Sequence, residues 1–426
     1  MTDRASSFKL IKARALVDGT GNEVIEQAAI LIENDLIAAV GTQNDVRPPD
    51  GADVVEINYP DQTVLPGLVD CHVHLIGFGD GRAGDDLTLL PDEVLTLQAA
   101  RNARTHLDSG VTTVRDCGAK NRTTLMLREA MNLGVAVGPR LVLSGRPMAI
   151  VGGHLSYFGV EVTGVDESRA AVRQLVKEGV DFIKITATGG STKTSFSSLA
   201  SFNVEELTAI CDEAHSFGKH TAAHCTSTQG IANAVDAGVD TIIHAIFNEP
   251  DGSRKFDPVI AERIAKQGVY VNPTLMAAGY GAGGQIELLE QKRDSESLTN
   301  TEQSWLDQLY RTRDESIVDY AAMREAGITM VSGSDSAWSN FKMGRFQAEL
   351  EANVSSGMTP MEAIVSGTAD SAKSSWVYDN VGSLDVGKKA DILVVNGDPT
   401  TDIKALSNVA EVYKDGIRVD RQINTV

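Results

Sequence analysis

The sequence predicts an α/β protein, a (β/α)8 barrel joined to a small β-sandwich domain built from both termini. Two observations lead there: the middle of the chain repeats a helix, glycine, short-strand unit, and both ends are rich in short β-strands. The 426 residues suffice for one large barrel and a smaller satellite. Segments 8–17 and 28–40 are rich in Val, Ile, Leu and Ala, and Asp18-Gly19 and Gly21-Asn22 break them as hairpin turns do. Apolar runs at 391–395 and 409–419 are separated by Gly397-Asp398-Pro399 and Asp415-Gly416. Residues 1–64 and 376–426 are therefore assigned to the sandwich and 65–375 to the barrel. The repeating unit reads GVTTVRD (110–116), GVDFIKI (179–185), GKHTAAH (218–224), GVDTIIH (238–244), GVYVNPT (268–274) and GITMVSGSD (327–335). Each glycine stands where a helix C-cap tolerates positive φ, and each strand is apolar, as in a parallel sheet covered by helices. LVDCH (68–72) and RLVLS (140–144) bring the strands to eight, the number of a closed TIM-type barrel. No Gly-rich phosphate turn follows the first strand, which disfavours a dinucleotide-binding sheet. GYGAGGQ (279–285) lacks a Walker lysine and reads as a flexible loop, with a lid over a site as its functional alternative.

A formal net charge of −20 repels phosphate backbones and anionic lipid, so neither nucleic acid nor membrane is expected as a partner. The first 16 residues hold no apolar run of signal-peptide length, and no stretch approaches the roughly 18 apolar residues of a membrane helix. Cys71, Cys117, Cys211 and Cys225 form no CxxC pair and fit a reducing cytoplasm.

Of eight histidines, His106 and His215 fall in helical stretches, and the other six lie at strand ends or in the loops after them. Barrel active sites are built at the C-terminal strand ends. His72 and His74 close the first strand, and a spacing of two puts both imidazoles on one face, able to grip one metal ion. Lys184 interrupts the apolar strand FIKI, where an unpaired ammonium is costly. It is either salt-bridged, deprotonated, or converted by CO2 to an anionic carbamate that bridges two cations. His224 and His244 end successive strands and should be neighbours; Asp335 follows the last strand, where it would ligate metal and accept a proton from attacking water. His220, four residues before His224, reads as a deeper core histidine.

This set resembles the amidohydrolase superfamily, as do TVLPGLVDCHVH (63–74) and VGSLDVGKKADILVV (381–395), so the likeness spans nearly the whole chain. It implies a metal-dependent hydrolase of a C–N bond. His72, His74 and Asp335 would hold one divalent metal, usually zinc, and His224 and His244 a second. Carboxylated Lys184 and a hydroxide would bridge the two. It also implies a small-molecule substrate and a homo-oligomer. Within the superfamily the chain is most similar to the subgroup of Xaa-Pro dipeptidases and imidazolonepropionase-like proteins, through GVDFIKITATGG (179–190) and Gly152-Gly-His154. By that likeness His154 lies over the site and polarises the substrate carbonyl; a loop histidine without a role is the alternative.

The match departs after the strand-five histidine. The subgroup there carries Ala-Tyr, and an arginine on the next helix completes a clamp for a substrate α-carboxylate. This chain has Cys225-Thr226, and GIANAV (230–235) holds no arginine. Charge-assisted hydrogen bonds contribute roughly 1.5–3 kcal/mol each, so a dipeptide or N-acyl amino acid loses ground to a carboxylate-free aryl amide, carbamate or phenylurea. Cys225 and Thr226 would line that more neutral pocket. A deaminase would carry a glutamate three residues after a metal histidine, where this chain has Ser227 and Phe247. A non-catalytic scaffold would have lost ligands, and none is missing.

Overall fold

The computed structural model describes residues 7–422. Strands from both ends share one seven-stranded sheet, in the spatial order Ile417–Arg418, Val409–Lys414, Ile392–Asn396, Val54–Pro66, Phe8–Leu16, Ile25–Glu33, Leu36–Thr42. Ile392–Asn396 pairs antiparallel with Val54–Pro66, which runs through Gly67 directly into Leu68–Val73. The first strand beneath the site is thus a continuation of the terminal sheet.

The middle of the chain forms two runs of parallel strands. One holds Leu68–Val73, Val111–Asp116 and Arg140–Leu143; the other runs from Tyr270–Asn272 through Thr241–Asn248, His220–Ser227 and Phe182–Thr186 to Met148–Ile150 and Val160–Val162. The last two strands, three residues each, were not anticipated, since so short a piece shows no periodicity. Asp181 N–H donates to the Leu143 carbonyl at 2.8 Å where the runs approach on one side.

On the other side the expected strand over 327–335 is not regular. It touches its neighbours through single bridges, Val271 to Met330 and Val73 to Ser336, and through Val331 N–H to Val271 O (2.9 Å) and Cys71 N–H to Ser332 O (3.1 Å). The reason is local. Gly333 lies so close to strand one that a Cβ there would stand 2.6 Å from that of His72, and Asp335 has φ +52, outside the β region.

Helices cover the parallel strands. Val204–Ser216 starts at a capping box, Asn203 accepting from Glu206 N–H while the Glu206 carboxylate accepts from Asn203 N–H. Pro258–Gln267 opens with proline behind the Asp257 cap and ends at Gly268 with φ +69. Leu175, Leu207, Ile210 and Ile264 turn inward into one apolar core that also takes in Leu65, Leu393, Val395 and Val412 of the terminal sheet. Among the described residues no helix is long and apolar enough to cross a membrane.

Candidate active site

His72, His74, His154, Lys184, His224, His244 and Asp335, scattered over more than 260 positions of sequence, line one cavity of about 330 Å³. The Nε2 atoms of His72 and His74 lie 3.5 and 3.3 Å from Asp335 Oδ1. These three ligand atoms lie within 4.8 Å of one another, and His72 Nε2 and Asp335 Oδ1 are buried without a hydrogen-bond partner. The rings of His72 and His244 are 5.8 Å apart and those of His224 and His244 4.6 Å.

On His72, His74, His224 and His244 one ring nitrogen is held by a fixed acceptor, which decides the tautomer. Asn272 Nδ2 donates to the carbonyls of Val331 and Gly333, so its Oδ1 faces His72 Nδ1 at 3.2 Å as an acceptor. His74 Nδ1–H donates to the Gly118 carbonyl (3.0 Å) and His224 Nε2–H to the Gly189 carbonyl (3.0 Å). Thr274 donates its hydroxyl proton to the Pro273 carbonyl and accepts from His244 Nδ1–H at 2.6 Å. Each of the four rings is left with one lone pair free for the cavity, as metal-binding histidines require. Burial, and then the charge of Lys184, push His74 down to about 4 and His72 and His244 well below the ordinary imidazole range; burial and the neighbouring imidazoles do the same at His224. Burial drives Asp335 up to about 7, against the pull of Lys184. Neutral imidazoles beside a carboxylate starved of positive charge are a donor set that fits a divalent cation.

Lys184 stands in the buried strand Phe182–Thr186, 1% exposed, with no ion-pair partner among the described residues. Burial lowers its pKa, favouring the neutral amine that carbamate formation needs. The His154 ring lies 4.4 Å from that of His224, tilted by 42°, and its Nδ1 is 3.1 Å from Thr192 Oγ1. Gly190 makes room for it, since a Cβ there would meet the ring at 2.7 Å. Asp335, His244 (φ +69) and Thr274 (φ +48) all adopt left-handed backbone, a strain that collects at functional sites.

The strand-five pair divides. Thr226 lines the cavity, but its hydroxyl is engaged with the carbonyls of Gly189 and Ser197 (2.9 and 2.8 Å) and with Thr188 (2.9 Å). Cys225, one residue off in the strand alternation, does not line the cavity; it is packed in the core near the Gly230 carbonyl. His220 is a core residue stacked on Phe182 at 5.0 Å.

His106, placed by its helix away from the strand ends, turns out to support the site. Gly344 N–H donates to its Nδ1 (2.9 Å), so Nε2 carries the proton and donates to Asp70 (2.9 Å), both side chains fully buried. Asp70 also accepts from the backbone N–H groups of His72 and Ser334 (3.2 and 2.9 Å), tying strand one to the segment that delivers Asp335. Asn272, Thr274 and Trp338, whose ring lies 4.9 Å from that of His74, are further site residues that the sequence did not disclose. Asn272 did leave a trace, an amide inside an apolar strand.

The model of the amidohydrolase family matches residues 63–419, and the chain belongs to that family. Ochratoxinase from Aspergillus niger is 28% identical over 97% of this chain and 87% of its own. The structure of a Xaa-Pro dipeptidase with methionine bound in its active site superposes with a TM-score of 0.80, at 29% identity over 97% of this chain and 100% of the other. Phenylurea hydrolase B superposes with a TM-score of 0.81 at 22% identity, covering 97% of each chain, a likeness of fold.

Proposed function

We propose that the chain hydrolyses the C–N bond of a small amide, carbamate or urea that carries no carboxylate beside the scissile bond, using a two-metal site in a closed (β/α)8 barrel. The observation that carries this reading is the set of four imidazoles, each fixed with a free lone pair toward the cavity shared with Lys184 and Asp335. His72, His74 and Asp335 would hold one cation, His224 and His244 the other, with Lys184, as a carbamate, between them. Two divalent cations, zinc by the nitrogen and oxygen donor set, would supply Lewis-acid polarisation of the carbonyl and a water acidic enough to lose its proton near neutral pH.

The chain's own residues do the rest. Asp335 takes the proton of the attacking water and returns it to the departing nitrogen. His154, neutral because burial pushes it down to about 3, lines the cavity and would hydrogen-bond the substrate carbonyl. Substrate polarity follows from what surrounds the ligands. Among the described residues no arginine lines the cavity, its one lysine is Lys184, and the Thr226 hydroxyl proton is already committed to the Gly189 and Ser197 carbonyls. A carboxylate next to the scissile bond would be desolvated there without a partner, which costs more than a hydrogen bond returns.

The likeness to a Xaa-Pro dipeptidase favours a second reading, hydrolysis of dipeptides. Amine release from zinc-loaded protein, measured on dipeptides and N-acyl amino acids beside aryl amides, carbamates and phenylureas, separates the two. Turnover of the second group alone is expected; turnover confined to the first would overturn the substrate reading and leave the hydrolysis standing. Lys184→Ala is expected to lower bound zinc from about two ions to about one per chain. Two ions and full activity in that variant would remove the bridging role.

A further inference from the structure

Beside the catalytic cavity lies a second chamber of about 250 Å³, and the two share Ser191, Trp338 and Ser339 as walls. Trp338 is the divider. On one side its ring lies 4.9 Å from that of the ligand His74. On the other it lines the second chamber together with Tyr157. The two aromatic side chains converge at Gly84, where a Cβ would stand 2.0 Å from the Tyr157 hydroxyl and 2.6 Å from Trp338 Cζ2, so the glycine is what lets both rings reach this wall. Arg82, Lys193 and Asp85 also line the chamber, with mixed sign, and Arg82 is paired with Asp80. Net charge therefore does not select the occupant, and the two rings are its distinctive feature. A cavity of about 150 Å³ already holds a benzene ring, and aromatic rings pair favourably with one another in offset-stacked or edge-to-face arrangements.

We propose that this chamber is a substrate subsite for a planar aromatic group, joined by a short linker to the amide that lies among the metal ligands, with Trp338 as the wall both share. The proposal rests on C–N hydrolysis as read above. It predicts a two-lobed substrate, with the scissile bond in one chamber and the ring in the other.

The test uses zinc-loaded protein and pairs of amides that differ only in a phenyl ring two or three carbons from the scissile bond, carried on the acyl or the amine side. The ring is expected to raise kcat/KM about tenfold or more on one of the two sides. Ala83→Trp, at an exposed position of the chamber wall, fills the space and should bring the ratio between ring-bearing and ringless amides to about one. Trp338→Ala should do the same by removing the wall. Independently of turnover, calorimetric titration of the metal-free protein with 2-naphthol should show one site, weakened about tenfold or more by Ala83→Trp. A ring effect or a naphthol affinity untouched by both substitutions would overturn the subsite. If no amide is hydrolysed at all, the catalytic reading fails while the naphthol titration still decides the chamber.

Discussion

At the scale of single residues, the polar side chains that line the cavity stood out in the sequence and their supports did not. His72, His74, Lys184, His224, His244 and Asp335 each break an apolar strand or close it, and a polar group in such a place asks for a reason. Two of the four acceptors that set the histidine tautomers are backbone carbonyls, those of Gly118 and Gly189, and a carbonyl leaves no mark in a sequence. The other two are the side chains of Thr274 and Asn272, and Asn272 invites a prediction. Its Oδ1 fixes His72 with the proton on Nδ1, and both its amide protons are spent holding it in place. Replacing it with alanine removes the acceptor and lets the ring turn or protonate at Nε2. Asn272→Ala is expected to weaken zinc binding about 10- to 100-fold, read by competition with a chromogenic chelator, while Asn272→Asp should restore most of it by offering the same oxygen. Equal zinc affinity in wild type and the alanine variant would show that Asn272 only fills space.

At the scale of elements, regular strands and helices followed their patterns, and the departures have physical causes. The 327–335 segment has the apolar start of a strand, but its SGSD end bends away from β geometry to deliver Asp335. The 279–285 stretch, read as a flexible loop, contains a turn of 3-10 helix at Ala282–Gly284, and the Gly283 carbonyl accepts from Asn340 N–H at 3.0 Å. Just before it, the short helix Leu275–Ala278 forms part of the cavity wall through Ala277 and Ala278. Glu349, on the helix Phe346–Ser355, caps that short helix by accepting from the N–H groups of Leu275 and Met276, both at 2.7 Å. Burial nonetheless pushes its carboxyl up to about 8 from an ordinary value of 4.5. The sign follows from linkage. Between those two values the folded chain holds a proton that the unfolded chain has lost, so stability falls as pH rises, by about 1.4 kcal/mol per pH unit. Glu349→Gln does not titrate. Denaturant unfolding of metal-free protein at pH 5, 6, 7 and 8 is therefore expected to show wild type losing ground steadily to the glutamine variant. A difference that stays flat across that range would mean the two N–H groups hold the carboxylate ionised in spite of burial.

At the scale of the whole molecule, the change of rhythm along the chain is the basis for expecting a division into 1–64, 65–375 and 376–426, because β-rich ends and helix–strand repeats look different. How closely the parts are joined could not be read, since it depends on contacts between residues hundreds of positions apart. The terminal strands do form one sheet, and that sheet's side chains enter the core of the middle part. Leu393, from the second-last long strand, is fully buried and packs where a Cβ on Gly110 would meet it at 2.8 Å, at the start of the strand Val111–Asp116. Val395, Val412 and Leu65 belong to the same cluster. A piece spanning 65–375 alone would expose that surface, and the strand that carries His72 and His74 would lose the extension that anchors it. Two consequences can be measured. Leu393→Ala should destabilise the whole chain by about 2–5 kcal/mol, the range for emptying a buried leucine site. Because the core is shared, near- and far-ultraviolet circular dichroism should report one coincident unfolding transition in both proteins. Were the terminal sheet an independent unit, Leu393→Ala would split the transition, with the sheet melting first and the zinc site surviving it. Retention of bound zinc through a separate early transition would therefore show that the two parts fold apart.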